Sequence, residues 1–270
     1  MEEERKGNTL NSPISFSLTL INMHRIYIKD TDLTSDRISI IDFDEIHHFC
    51  HVLHGKTNDK IMVFNNNGEE AQGRILEIKK DNILVEILSR QPSHDEADKT
   101  YLILGCAIPK KTKFEWIIEK STELGVDEII PLNTERTEFR YSQERADKKS
   151  QRYRTVAINA GKQSRRRKLP CIREITPFKQ ALSLIDENTL ALIPCLSGKR
   201  QPLFGSIKNN SKKKIFILIG PEGDFSDEEI RMAIEKKAVP ISLGETVLKV
   251  ETAAIAVLSF LHLYCEAEKS

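Results

Sequence analysis

From Tyr101 onward, near-continuous apolar runs alternate with amphipathic stretches, and this limits the possible folds of the 270-residue chain more than any other feature. Tyr101 to Ala107, Glu128 to Leu132, Thr189 to Pro194 and Ile215 to Ile219 carry apolar residues at successive positions, the pattern of strands buried on both faces. Such strands belong to parallel sheets covered by helices on both sides. The first intervening helix has clear local signals. Thr112 and Glu115 form a capping box, Phe114, Ile117, Ile118, Ser121 and Leu124 share one face, and Gly125 supplies a left-handed C′ position. Arg145 to Ala160 reads as another helix with Tyr153, Val156, Ala157 and Ala160 inward, followed by a loop from Lys162 to Lys168.

Upstream, the runs are short and β-branched: Ile38 to Ile41, Ile61 to Phe64, Arg74 to Ile78 and Ile83 to Leu88. Asn65-Asn-Asn-Gly68 and Lys80-Asp-Asn82 are turn chemistry between them, so a small all-β barrel precedes the α/β part. Ser89 to Lys99, with Pro92 and an acidic run, reads as a linker. Residues 1–22 lack the charged n-region and continuous apolar core of a signal peptide and are expected to be a flexible extension.

Five cysteines, at 50, 106, 171, 195 and 265, have no C-x-x-C spacing, which argues against both a disulfide framework and a zinc cluster and for a reducing, cytoplasmic setting. His48, His51 and His54 lack an acid-rich surround, and no metal is expected there. The apolar stretch Ala253 to Tyr264 is interrupted by Ser259 and His262 and falls short of the ~20 residues of a bilayer span, so no membrane helix is expected. The formal net charge of +1 conceals an uneven distribution. Between Glu144 and Lys168, ten Lys/Arg face two acids, a net of +8 that leaves −7 for the remainder. That block is either an electrostatic footprint for nucleic acid or a solvated helix face.

Two segments carry the chemistry. Ile215 to Ile219 runs into Gly220-Pro-Glu-Gly223, and a helix opens at Ser226 with Glu229 closing its capping box. A backbone-exposing turn at the carboxyl end of a buried strand is where ligands sit in open α/β sheets. The spacing matches neither G-x-G-x-x-G nor a Walker loop, and Glu222 disfavours a phosphate. A similar element, Ile241-Ser-Leu-Gly-Glu-Thr-Val-Leu-Lys249, precedes Glu251-Thr-Ala-Ala254 at the start of the last helix. Across one pocket, Leu243, Val247 and Leu248 would enclose a flat adenine while backbone groups read its edge; as ordinary residues they would simply pack the core.

The combination Leu218-Ile-Gly-Pro-Glu-Gly-Asp-Phe-Ser-x-x-Glu229 and Leu243-Gly-x-x-Val-Leu-Lys-x-Glu-Thr-Ala-Ala254, preceded by Lys120-x-x-Glu-Leu-Gly-Val126 and Lys162-Gln-Ser-Arg-Arg166, closely resembles the RsmE family. These are 16S ribosomal RNA uridine N3-methyltransferases of the SPOUT superfamily. The resemblance implies a PUA-like β-barrel RNA-binding domain over residues 23–92 and a SPOUT-type α/β trefoil-knot domain over 93–270. It further implies S-adenosyl-L-methionine as cofactor, 16S rRNA in the small subunit or its precursor as partner, and a homodimer. By the same resemblance, Pro194, Leu218, Ile219, Gly220, Pro221, Glu222, Gly223, Leu243, Gly244, Val247, Leu248, Glu251, Thr252 and Ala253 would hold the cofactor, with Cys195 beside Pro194. Arg25, His54, Lys110, Arg136, Lys162, Arg165 and Arg167 would contact RNA. Arg166 and Lys249 would stabilise the imidate left when the uracil N3 proton departs, and Gln163 would orient the base. The chain departs from the family pattern at Lys162 and His54, at Lys249, which keeps a charge but not an arginine fork, and at Asp224, a usual glycine. Methylation of another RNA nucleotide, or a non-catalytic role in ribosome assembly, are the alternatives.

Overall fold

Alternate side chains of a strand leave opposite faces of the sheet, and in the second half of the chain both sets are apolar. The computed structural model describes residues 23–29, 31–91, 99–109, 113–137, 142–196, 198–208 and 210–268. It divides between residues 93 and 94 into two compact units.

The first unit is a five-stranded sheet with β1 (His24–Tyr27), β2 (Arg37–Ile40), β3 (Lys60–Phe64), β4 (Glu70–Ile78) and β5 (Ile83–Gln91) in the order β1-β3-β4-β5-β2. β1 pairs in parallel with β3 and the other pairs are antiparallel. The short helix α1 (Phe43–His47) opens on an Asp42 cap that accepts the Glu45 N–H, then widens into a π-helical turn over His48–Val52. That turn drives Phe49 into the core among Ile40, Ile61, Ile75 and Val85, all fully buried. Gly55 lies against the ring, and a β-carbon there would stand 2.1 Å from it.

Three boundaries differ from the sequence expectation. β4 starts at Glu70 rather than Arg74, because Glu70 to Ala71 find partners in Gln91 to Arg90. The same pairing carries β5 through Ser89 to Gln91, residues expected in a linker. β2 stops at Ile40, and Ile41 is 75% exposed.

The second unit is an eight-stranded parallel sheet. Its path is β11 (Gln201–Pro202), β13 (Val239–Ser242), β10 (Thr189–Pro194), β12 (Lys214–Ile219), β6 (Tyr101–Ala107), β7 (Glu128–Asn133) and β8 (Cys171–Ile172), with β9 (Thr176–Pro177) also on β7. Leu102, Leu104, Cys106, Ile215, Ile217 and Ile219 face one core with α2 (Lys113–Glu123), α3 (Gln143–Gln163) and α7 (Val250–Ala267). Ile103, Phe216 and Leu218 face the other with α4 (Phe178–Ala181) and α6 (Asp227–Glu235). α5 (Leu203–Ile207) follows β11. Each fully buried Ile or Leu contributes about 1.5–3 kcal/mol, so the two-faced sheet dominates the stability of this unit.

α2 buries the expected face, and Gly125 ends it at φ +86. Thr112, half of the expected capping box, lies outside the described residues, as do residues 1–22. The cap expected on α6 is present: the Ser226 side chain accepts the Glu229 N–H, and Glu229 accepts the Ser226 N–H. α3 runs to Gln163, past the expected end at Ala160; the Ser164 hydroxyl donates to the Ala160 carbonyl at 2.7 Å, and Arg165 breaks the helix at φ +60. By length and composition α7 could cross a bilayer, but its Val250, Ala254, Val257, Leu258 and Leu261 are buried in the core of this unit.

Replacing Gly55 with Ala is expected to destabilise the first unit by about 1–3 kcal/mol through overpacking against Phe49. An unchanged denaturant midpoint for the transition of that unit would show that Phe49 is not seated there.

Candidate functional site

Parallel pairing brings the carboxyl ends of β13, β10 and β12 side by side. The chain beyond them opens a cavity of about 900 Å³, within the usual range for small-molecule sites. Cys195, Leu196, Gly198 and Arg200 form one wall, residues 220–224 a second, and residues 243–249 a third; Glu251, Ala253 and Lys113 complete it.

Two walls present backbone. Gly223 and Gly244 have φ of +91 and +121, and no atom lies within 4 Å of where a β-carbon would stand on either, so the main chain stays open to a ligand. Asp224 continues the turn at φ +73, and its N–H donates to the Pro221 carbonyl at 3.1 Å. Charge of both signs lines the cavity. Lys113 Nζ is 2.9 Å from Glu251 Oε1. Burial works to raise the Glu251 carboxyl, but the Lys113 hydrogen bond, the residue's own backbone N–H at the helix start, and the charges of Lys113 and Lys249 hold it below the usual carboxylate range. Arg200 donates to the Cys195 carbonyl at 2.8 Å. Burial, with Asp224 adding to it and Arg200 opposing, pushes the Cys195 thiol up to about 12, and burial also pushes Cys106 up. Neither is a thiolate nucleophile at neutral pH.

Of the expected cofactor residues, Pro194, Ile219, Gly220, Pro221, Glu222, Gly223, Leu243, Gly244, Val247, Leu248, Glu251 and Ala253 line this cavity, and so does Lys249. Two expectations are corrected. Leu218 points to the opposite face and is fully buried in the core there, because strand alternation gives the cavity Ile219 instead. Thr252 is exposed and does not line the cavity. Sequence reasoning missed Lys113, Leu196, Arg200 and Asp224. Leu196 and Arg200 follow Pro194 in the loop after β10, Lys113 is distant along the chain and reaches them only through the strand order, and Asp224 was marked by its place in the turn.

Gln163 and Arg166 do not line the cavity. Arg166 is a latch at the amino end of β7: its Nη1 donates to the Thr122 carbonyl at 3.2 Å and to that of Val126, and Nη2 lies 3.7 Å from Asp127. The cavity is at the carboxyl ends of the strands, so within one chain this guanidinium is at the wrong end of the sheet for chemistry. Arg25 is likewise engaged, 2.7 Å from Glu70 and 4.5 Å above the Phe64 ring, with its side chain 10% exposed. Arg136 donates to the carbonyls of Gly223 and Asp224. His54 is exposed at φ +52. Lys162, Arg165 and Arg167 gather at the end of α3 and the turn after it, and Lys110 lies outside the described residues. Among the described residues no group of three His, Cys, Asp or Glu is placed to hold a metal.

A family model described as an RNA methyltransferase domain matches residues 96–262, and one described as an RNA methyltransferase PUA domain matches residues 40–88. The ribosomal RNA small subunit methyltransferase E of Rickettsia conorii is 30% identical over 248 residues, covering 90% of this chain and 98% of the relative. That of Bacillus subtilis is 28% identical over 229 residues, covering 83% and 89%. A methyltransferase of Legionella pneumophila, solved in complex with bound cofactor SAM, superposes with a TM-score of 0.78 at 29% identity, covering 90% of this chain and 98% of that one.

Because Arg166 holds carbonyls and a buried carboxylate, Arg166→Ala is expected to lower the stability of the second unit by about 1.5–3 kcal/mol, the range for hydrogen bonds to charged groups. Equilibrium denaturation checks this, and an unchanged transition would free Arg166 for another role.

Proposed function

Because this chain belongs to the ribosomal RNA small subunit methyltransferase E family, we propose that it methylates N3 of a specific uridine in 16S rRNA during small-subunit maturation. It is an RNA methyltransferase of the SPOUT type with a PUA-like domain, and S-adenosylmethionine is its methyl donor.

The observation that carries the reading is the backbone-lined cavity at the ends of β10, β12 and β13. Its residues fit the cofactor. The open β-carbon positions of Gly223 and Gly244 admit a ligand against the main chain, Leu243 and Leu248 offer apolar surface to an adenine, and Glu222, Glu251, Lys113 and Arg200 offer both signs of charge to a zwitterionic amino acid. When bound, S-adenosylmethionine supplies a methyl group on a sulfonium, open to in-line displacement. The chain then has to position the uracil and stabilise its N3 anion. Lys249, on the cavity wall, is our candidate for the cation beside that imidate. Gln163 orients the base, and a homodimer that sets the 162–168 segment of one chain near the cavity of the other would bring it there. The same segment, with Lys162, Arg165 and Arg167, suits phosphates and splayed bases, as does the exposed His54. Action on 16S rRNA would put the protein in the cytoplasm.

Nucleoside mass spectrometry of 16S rRNA from cells with and without the gene tests the target: 3-methyluridine should vanish without the gene, and unchanged 3-methyluridine would refute the N3 assignment. Lys249→Ala should slow single-turnover methylation by about 10²-fold, the lower end of the effect of removing one stabilising group at a developing anion, while leaving the thermal midpoint unchanged. A wild-type single-turnover rate would remove Lys249 from the mechanism.

A further inference from the structure

We infer that Arg136 and Asp224 are positioning residues that brace the loop after β12 against its two neighbours and so set the shape of the cofactor pocket. The inference rests on reading the cavity as the S-adenosylmethionine site. Each cavity wall is a loop, and loops left to themselves are the mobile part of a fold. Here the loop after β12 is tied to the loop after β10 and to the segment after β7 by three charged side chains.

The first tie starts from the segment after β7. Arg136 Nη1 donates to the carbonyls of Gly223 and Asp224, so the guanidinium holds two successive peptide groups of the turn. The neighbouring Glu135 N–H donates to Glu229 Oε1 at 2.9 Å, while Glu229 Oε2 accepts the Ser226 N–H at 3.0 Å. Glu229 is buried, and its carboxylate joins the segment after β7 to the start of α6. The turn at 220–225 is thus fixed by Arg136 at its middle and by Glu229 at its exit.

The second tie runs to the loop after β10. Asp224 Oδ2 accepts the Leu196 N–H at 2.7 Å, and Oδ1 accepts the Phe225 N–H at 2.8 Å. Glycine, usual at this place in the family pattern, would satisfy φ +73 but could not make that link. Aspartate tolerates the left-handed region better than most residues and adds an ionised acceptor. Arg136 does not line the cavity, so it acts on a ligand through the turn it holds. With the brace gone, ligand binding has to order the turn as well, and affinity falls.

The test uses the full-length protein, calorimetric titration with S-adenosylmethionine, and steady-state methylation of small ribosomal subunits that lack the modification. Arg136→Ala and Asp224→Gly should each raise the Kd and KM for S-adenosylmethionine about tenfold, the effect of losing one charge-assisted hydrogen bond. In Arg136→Ala, which lies outside the cavity lining, kcat and subunit affinity should stay near wild type, and the ligand-free thermal midpoint should do so in both variants. Glycine keeps the backbone angle at 224, so that variant should fold, and Arg136→Lys, which retains a donor, should recover part of the affinity. Unchanged cofactor affinity in both variants would overturn the brace. So would a loss in Arg136→Ala confined to subunit affinity, which would make Arg136 an RNA contact, or a lowered midpoint with kcat falling in step. Wild-type protein that binds no S-adenosylmethionine would overturn the site reading together with the inference built on it.

Discussion

Parallel pairing of β10 with β12 on one side and β13 on the other is the constraint on which the rest of the molecule depends. Parallel neighbours end at the same edge of a sheet, so three segments distant along the chain must turn within reach of one another. The pairing holds because both faces of these strands are apolar and both are covered. Ile217 packs under α2 and α7, whereas Phe216 and Leu218 pack under α4 and α6. Shifting β12 by one residue would exchange these sets between the two cores and turn Ile219 away from the cavity. Core register and pocket composition are therefore one physical fact.

Charge is distributed according to the same architecture. The dense basic segment from residue 144 to 168 is less of a free cationic surface than its net of +8 suggests. Lys148 pairs with Glu144, Arg152 with Glu115, Arg154 with Glu174, and Arg166 with Asp127. The first three are exposed pairs, worth little individually, and they hold α3 to its surroundings and its own first turn. The last is largely buried, with Asp127 also accepting the Leu102 N–H at 2.9 Å, and it anchors the amino end of the sheet. From 144 to 154 the segment is therefore a solvated, paired helix face, and the remaining cations gather from Lys162 onward at the end of α3 and the turn after it.

Legibility followed the range of the interaction. The strands of the parallel sheet were readable because continuous apolar runs state their burial locally, and the α6 cap because Ser226 and Glu229 are three residues apart. The walls at 220–223 and 243–248 were readable because glycine at a strand end has few other uses. What escaped depends on partners distant in sequence. Nothing near Gln91 announces Glu70, whose pairing extends β5 into the expected linker. Nothing near Arg25 announces the Glu70 carboxylate and the Phe64 ring that engage it. Nothing near Arg166 announces the carbonyls closing α2, which its guanidinium reaches from the turn after α3.

The departures from the family pattern sort by what each position demands. Asp224 and His54 both lie at positive φ, at +73 and +52, and both belong to the few residue types enriched there. The backbone requirement is met in each case, and the side chain is left to take another task. Asp224 faces its neighbour loop and links to it, whereas His54 faces solvent. Lys249 lies under no such backbone constraint. It stands just before α7 in extended geometry and lines the cavity wall, where lysine keeps a positive charge without the fork of an arginine. A substitution that alters a motif while conserving the dihedral angle or the charge leaves the fold and pocket intact, and it changes only what the side chain can reach.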